Sequence, residues 1–374
     1  MQNLKGPSLF QLIDRKKFDA LAKKWEIDKG IRTFSTWELT QVLIHVYVMK
    51  LGSFREVEAT LGVPNSTFSE ALQKRHHGFF QELCELILLK IKSETKSRKE
   101  RKAVREFLAM DSSDIRVHGS LFNLPGFQQK SSKEHKAAVK LHVVWDVNNE
   151  WVEDFRVTPG RTGDSPTSLK QEILAEKMYI FDRAYNNVDF WEKIVNKNSH
   201  FVTRLKTSRR KRTLENAFIG TKTSKYGVLC EREYSPTANN KKQSVLKLRH
   251  IVYRDEQTKR FFHFVTSDPT ISGQEIADIY KKRWAVELLF KWLKGHLNIR
   301  YLSTKTPNSI ETQLATAVLV QLLLKLQKLT QEIPSTIWEM LRELRTILNR
   351  SGLINTGAPA DCRWSLASGV GLKT

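Results

Sequence analysis

Four side chains in the C-terminal third have types and a spacing suited to gripping phosphate: Tyr280, Arg283, Glu287 and Lys294, within YKKRWAVELLFKWLKGHL. Their offsets from the tyrosine are three, seven and fourteen. At about 3.6 residues per turn this predicts one stripe along a single helix. A phenol, a guanidinium, a carboxylate and an ammonium then share a face, while Leu288, Leu289, Trp292 and Leu293 supply a core face. A guanidinium can clasp a phosphate bidentately, Lys294 can meet another phosphate oxygen as a point charge, and the Tyr280 hydroxyl can hydrogen-bond a third. The same pattern also fits a solvated surface face on which Arg283 merely pairs with Glu287, one turn away. Lys291 and Arg300 extend the basic edge, and Trp284, beside the stripe, reads as core.

Two aspartates give Glu287 possible company. Asp111 closes the apolar run FLAM, and Asp182 closes MYIF before RAYNN. In α/β sheets ligands collect at the carboxyl ends of strands. Three carboxylates from two strand ends and a helix can hold two Mg2+ ions, with Mn2+ as a substitute. Mg2+ prefers hard oxygen ligands and keeps some waters and substrate phosphate oxygens. Two such ions would activate an attacking oxygen and stabilise a leaving one in an in-line displacement. Other readings stay open at this level: Asp182 could cap the helix near Asn187, and Asp111 could order a turn at Ser112 and Ser113. Asp114, Asp146, Asp154 and Asp164 compete as acids; Asp114 leaves the strand end on alternation.

The elements that must position these groups follow from periodicity. Residues 1–92 read as a helical domain. Ser35 with Glu38, and Ser53 with Glu56, fit capping boxes. SFREVEATLG, a break at Gly62, Pro64 and Asn65, and then STFSEALQKRHH outline a helix-turn-helix for DNA binding. Residues 93–106 read as a basic linker or an exposed basic helix. From Phe107 the period changes, and FLAMDSS, DIRVHG, AVKLHVVWDV and WVEDFRVTP predict short strands split by turns. A helix capped by Ser165 with Pro166 in its first turn, the strand KMYIFDRAY, a helix near Asn187–Lys197 and the strand HFVTRLK continue an α/β layer through residue 206. Residues 207–270 read as a β-rich insertion with KYGVLCEREY, VLKLRHIVYRD and RFFHFVTSD. Residues 271–305 carry the stripe, with Ser272 and Glu275 as a third capping box. Residues 306–374 add two helices and a tail with little pattern.

Composition bounds the partner. Lys and Arg number 62 against 40 acids, a formal charge of +22, which points to a polyanion, nucleic acid above all. The N-terminus lacks a signal-peptide core. The longest apolar stretch, around Leu314 to Leu324, reads as too short to span a bilayer, so no membrane partner is expected. Cys84, Cys230 and Cys362 make neither a zinc spacing nor a disulfide framework, which suits a reducing cytoplasm.

Taken together, the chain resembles an insertion-sequence transposase of the IS4 family, a DDE transposase with a ribonuclease-H-like core. The signature Tyr-x2-Arg-x3-Glu-x6-Lys is matched without a gap by Tyr280, Arg283, Glu287 and Lys294, and the family's aspartates fall on Asp111 in AMDSSDI and Asp182 in YIFDRAYN. The resemblance covers nearly the whole chain. It implies a catalytic and metal-binding triad of Asp111, Asp182 and Glu287, with Tyr280, Arg283 and Lys294 on DNA. It also implies cut-and-paste transposition through a hairpin, and a homodimer bridging terminal inverted repeats and target DNA. Related enzymes stack a flipped base on an aromatic of the insertion. The insertion here has no tryptophan, which leaves Tyr226, Tyr234, Phe261 and Phe262. Two other readings use the same residues: a transposase-derived DNA-binding protein without catalysis, and a Mg2+-dependent nuclease that cuts without joining.

Overall fold

The structure, a computed structural model, describes residues 9–98, 105–129, 136–205, 226–236 and 246–350. The chain forms two compact units. One comprises Ala103–Ser113 and Lys140–Phe290. The other comprises Met1–Lys102, Asp114–Val139 and Lys291–Thr374.

A nine-stranded sheet holds the candidate chemistry. Its strands are β1 (Phe107–Val117), β2 (Ala138–Asp146), β3 (Trp151–Pro159), β4 (Met178–Phe181), β5 (His200–Arg204), β6 (Gly227–Tyr234), β7 (Leu248–Arg254), β8 (Phe261–Thr266) and β9 (Tyr301–Leu302). The order is β3-β2-β1-β4-β5-β8-β7-β6, with β9 on β1. Strands β1, β4 and β5 are parallel, and β8, β7 and β6 add on antiparallel. The mixed sheet with flanking helices is the α/β class expected. The strands expected within the β-rich insertion, β6 to β8, extend the main sheet through β5. FLAMDSS and DIRVHG, expected as two runs, form one eleven-residue strand.

Alternation along the central strands builds two cores. Leu108, Met110, Tyr179, Phe181 and Phe201 pack with Phe190 and Trp191 of α7, which spans Val188–Val195 and is N-capped by Asn187. Phe107, Met178, Ile180 and Val202 pack on the other face with Ile276, Ile279 and Tyr280. These come from α8 (Gly273–Lys281), whose Ser272–Glu275 capping box forms as expected. Phe181 is fully buried, so truncation to Ala would cost about 3–5 kcal/mol. Helix α6 is short, Asp164–Leu169, with Gly163 rather than Ser165 at its N-cap. Helix α9 follows at Trp284–His296.

The other unit is largely helical: α1 (Arg15–Lys24), α2 (Thr36–Met49), α3 (Phe54–Leu61), α4 (Asn65–Lys74), α5 (His77–Arg98), α10 (Pro307–Thr330) and α11 (Ile337–Arg350). Both expected capping boxes, Ser35–Glu38 and Ser53–Glu56, are present. Gly62 ends α3 at φ 70°, a left-handed conformation that suits glycine. Residues 93–98, expected as a linker or a basic helix, are helical and form the last turns of α5; residues 99–104 and the tail after Arg350 lie outside the described residues. Helix α10 packs against α5, α2 and α4, and the Tyr47 hydroxyl donates to its Gln313 carbonyl at 2.7 Å. The helix has 24 residues, more than the apolar stretch read from the sequence, and an 18-residue window of mean hydropathy 1.3, so by length and composition alone it could cross a membrane. However, 94% of its most apolar window is buried inside the protein, the role of a core helix.

Candidate active site

Strand register brings the two aspartates together. Met110 pairs with Phe181 across parallel β1 and β4, so Asp111 and Asp182, the next residues, are neighbours on adjacent strands, which run about 4.8 Å apart. Both share the parity of Ala109 and Ile180, and so the face that α8 covers. Asp111, expected at a strand end, is not at one: β1 continues to Val117, and it is β4 that stops there. Asp111 accepts the Ser112 amide at 2.8 Å. Asp182 caps the short turn Arg183–Tyr185 through the Ala184 amide, while Asn187 does the capping of α7.

The third carboxylate arrives on α9. The stripe expected on one helix is broken: α8 closes at Lys282, Arg283 lies in the turn, and α9 starts at Trp284. The turn keeps helical spacing, since the Arg283 amide still bonds the Tyr280 carbonyl at 3.1 Å. Tyr280 therefore lies in the last turn of one helix, and Glu287 sits in the first turn of the next, where the helix dipole favours a carboxylate. Arg283 bridges the acids: its Nη1 is 3.3 Å from Asp111 Oδ2, and its Nη2 donates to Glu287. Lys294, in the last turn of α9, has Asp114 and Arg300 as its electrostatic partners, and burial depresses its ammonium.

The electrostatics describe carboxylates in want of positive charge. Burial, with Asp182 and Glu287 nearby, lifts the Asp111 carboxyl to about 6, against the Ser112 amide and Arg283, which act to lower it. Burial acts to depress Arg283, but Tyr280, Glu287 and Asp111 hold it above its ordinary value. Its Nε is buried with no acceptor, a position an added oxygen could fill. Among the described residues no three His, Cys, Asp or Glu side chains form a ready metal cage. That still fits Mg2+, which completes its shell with waters and substrate oxygens, and all three carboxylates are hard oxygen donors.

Sequence reading passed over one residue of this row. Phe181 pairs with Thr203 across β4 and β5, so Arg204 is the in-register neighbour of Asp182. Its guanidinium lies 4.9 Å from the Phe262 ring and 6.0 Å from the Tyr280 ring. Tyr280 also packs on Phe264 and lies beside Arg283, and burial raises its hydroxyl despite the two arginines. The signal for Arg204 was available: it ends the apolar run HFVT, as Asp111 and Asp182 end theirs. Trp284, read as core, is 56% exposed, as is Leu288 at 51%. Of the aromatics held for base stacking, Phe261 is 52% exposed, Phe262 stacks on Phe264, Tyr234 packs against a core, and Tyr226 lies beside Arg254 and Lys259.

The profile of the family described as "Transposase DDE domain" matches residues 102–323, more than half of the chain. The chain belongs to the DDE transposase family. The transposase is 26% identical to the probable transposase of insertion sequence element IS5377 of Geobacillus stearothermophilus, over 85% of this chain and 84% of that one. It is 26% identical to a putative transposase of element IS4SA of Synechocystis, over 76% and 77%. A solved piggyBac transposase synaptic complex with hairpin DNA shares the fold, with a TM-score of 0.54, 12% identity and coverage of 96% of this chain and 84% of that one. The core is thus the ribonuclease-H-like DDE fold expected from the sequence. Residues 7–69 match a domain whose function is not known.

Proposed function

We propose that this DNA transposase excises and inserts an insertion sequence by cut-and-paste chemistry at a site of Asp111, Asp182 and Glu287. The observation that carries this reading is the convergence of the three carboxylates, two by parallel register and one through Arg283. They would hold two Mg2+ ions, or Mn2+, which would polarise the scissile phosphodiester and the attacking and leaving oxygens. The chain's own part is positioning. Arg283, with an unfilled buried Nε, would receive a phosphate oxygen, and Arg204 would neutralise a neighbouring phosphate beside Tyr280. Lys294 would hold DNA further along α9. The same site would serve nicking at the terminal inverted repeat, hairpin formation and opening, and joining to target DNA. Two copies in a synaptic complex, helix-turn-helix recognition through α3 and α4 within residues 1–92, and a cytoplasmic, nucleoid-associated location belong to this proposal.

The test is to supply purified protein with Mg2+ and DNA carrying its own terminal repeats. Cleavage with joining to a target plasmid is expected. Cleavage without joining would mean a nuclease, and binding without reaction would mean a DNA-binding protein.

A further inference from the structure

Ser112 is bonded in two directions. Its amide donates to Asp111 Oδ1 at 2.8 Å, and its hydroxyl donates to Asp164 Oδ1 at 2.6 Å. Asp164 opens α6 and sits in a largely enclosed cluster. Lys140 Nζ is 3.3 Å from it and His142 Nδ1 is 3.6 Å away. The Asp164 side chain is 17% exposed. Burial depresses His142 to about 4, so the ring is neutral at pH 7, with Nε2 hydrogen-bonded to Thr158 at 2.9 Å.

The cluster also reaches the other aspartate. Buried Tyr185 belongs to the turn that Asp182 caps, and its hydroxyl pairs with Ser112. Ser165, beside Asp164, accepts the Asn187 side chain at 3.3 Å. On strand alternation Ser112 points away from the face that carries Asp111, so Asp164 is outside the reacting site. A partly buried carboxylate is costly unless well paired, and this one is bonded to Ser112 of the strand that carries one proposed metal ligand, while Ser112 in turn pairs with Tyr185 of the turn that carries another.

We infer that Asp164 is a positioning residue: through Ser112, and through the Tyr185 hydroxyl that pairs with Ser112, it locks Asp111 and Asp182 in the geometry that takes the divalent ions. Lys140 pairs with it at 3.3 Å, and Ser112 passes the restraint to Asp111 through its own amide. Residues around metal ligands that fix their orientation typically change affinity by 10–100-fold when lost. The inference rests on the reading of Asp111 and Asp182 as metal ligands. The competing role, an acid stabilising the N-terminus of α6, has no need of Ser112.

The test is Mn2+ titration of the full chain, with free Mn2+ followed by electron paramagnetic resonance and folding by circular dichroism. Ser112→Ala and Asp164→Ala should each weaken Mn2+ binding roughly tenfold, and the double variant should be no weaker than either. Asp164→Asn, which can still accept the Ser112 hydroxyl, should keep most of the affinity. If Asp164→Ala does not fold, Ser112→Ala and Asp164→Asn decide. Unchanged affinity in folded Ser112→Ala, or additive losses in the double variant, would overturn the inference. Asp111→Ala and Asp182→Ala serve as controls: if they too leave Mn2+ binding unchanged, the metal reading itself fails and takes the inference with it.

Discussion

Arg283 Nη1 lies 3.3 Å from Asp111 Oδ2, although the two residues are 172 apart in sequence. The same guanidinium bonds Glu287, so one arginine supplies positive charge to two of the three acids. Its removal leaves partly buried carboxylates facing each other. Arg283→Ala is expected to lower metal-free stability by about 2 kcal/mol, and millimolar Mg2+ should restore more of that loss than it adds to wild type. Thermal denaturation with and without Mg2+ measures both.

Asp111 makes the pH dependence of metal-free stability predictable. Its folded carboxyl is raised to about 6, from an ordinary 3.8. The folded state therefore binds this proton more tightly than the unfolded chain. The contribution is fully present below about pH 4 and lost as pH rises through about 6. At pH 7.5 without metal, Asp111→Asn should be more stable than wild type, by up to about 3 kcal/mol. Equal denaturation midpoints for the two proteins at that pH would contradict the cost of burying this carboxylate.

The helical unit carries the usual histidine case. His77 Nε2 is 2.9 Å from Glu311 Oε2, and that hydrogen bond raises the imidazole. The stabilisation is present below the unfolded value of about 6.5 and lost as pH rises through the higher folded value. Glu311→Gln should therefore cost more stability at pH 6 than at pH 8.5, read from urea midpoints.

Much of this was legible locally. Three Ser-x-x-Glu boxes were readable because a cap involves residues three apart in the chain, and all three form. The runs that deliver Asp111 and Asp182 were readable as short continuous apolar stretches ending in an acid. What depends on partners distant in sequence was not. The break at Lys282–Arg283 leaves helical periodicity intact, so no residue announces it. That strands β6 to β8 continue the main sheet shows only in the pairing of β8 with β5. Apolar residues alone could not show that the α10 helix is enclosed by others. Arg204 has meaning only through the register of β5 against β4.

Arg204 offers a test of that register. If it neutralises one phosphate, Arg204→Ala should weaken binding to the terminal repeat and reduce the slope of log affinity against log salt by about one. An unchanged slope would place Arg204 off the DNA. The wild-type slope itself should be steep, given the formal charge of +22.

The most direct test of the account replaces each carboxylate in turn. Asp111→Ala, Asp182→Ala and Glu287→Ala are compared with wild type for strand cleavage and joining of terminal-repeat DNA in Mg2+, alongside gel-shift binding. The account predicts that all three bind the DNA and none cleaves it detectably. Cleavage at the wild-type rate by any one of them would contradict the assignment of that carboxylate, and with it the three-acid site.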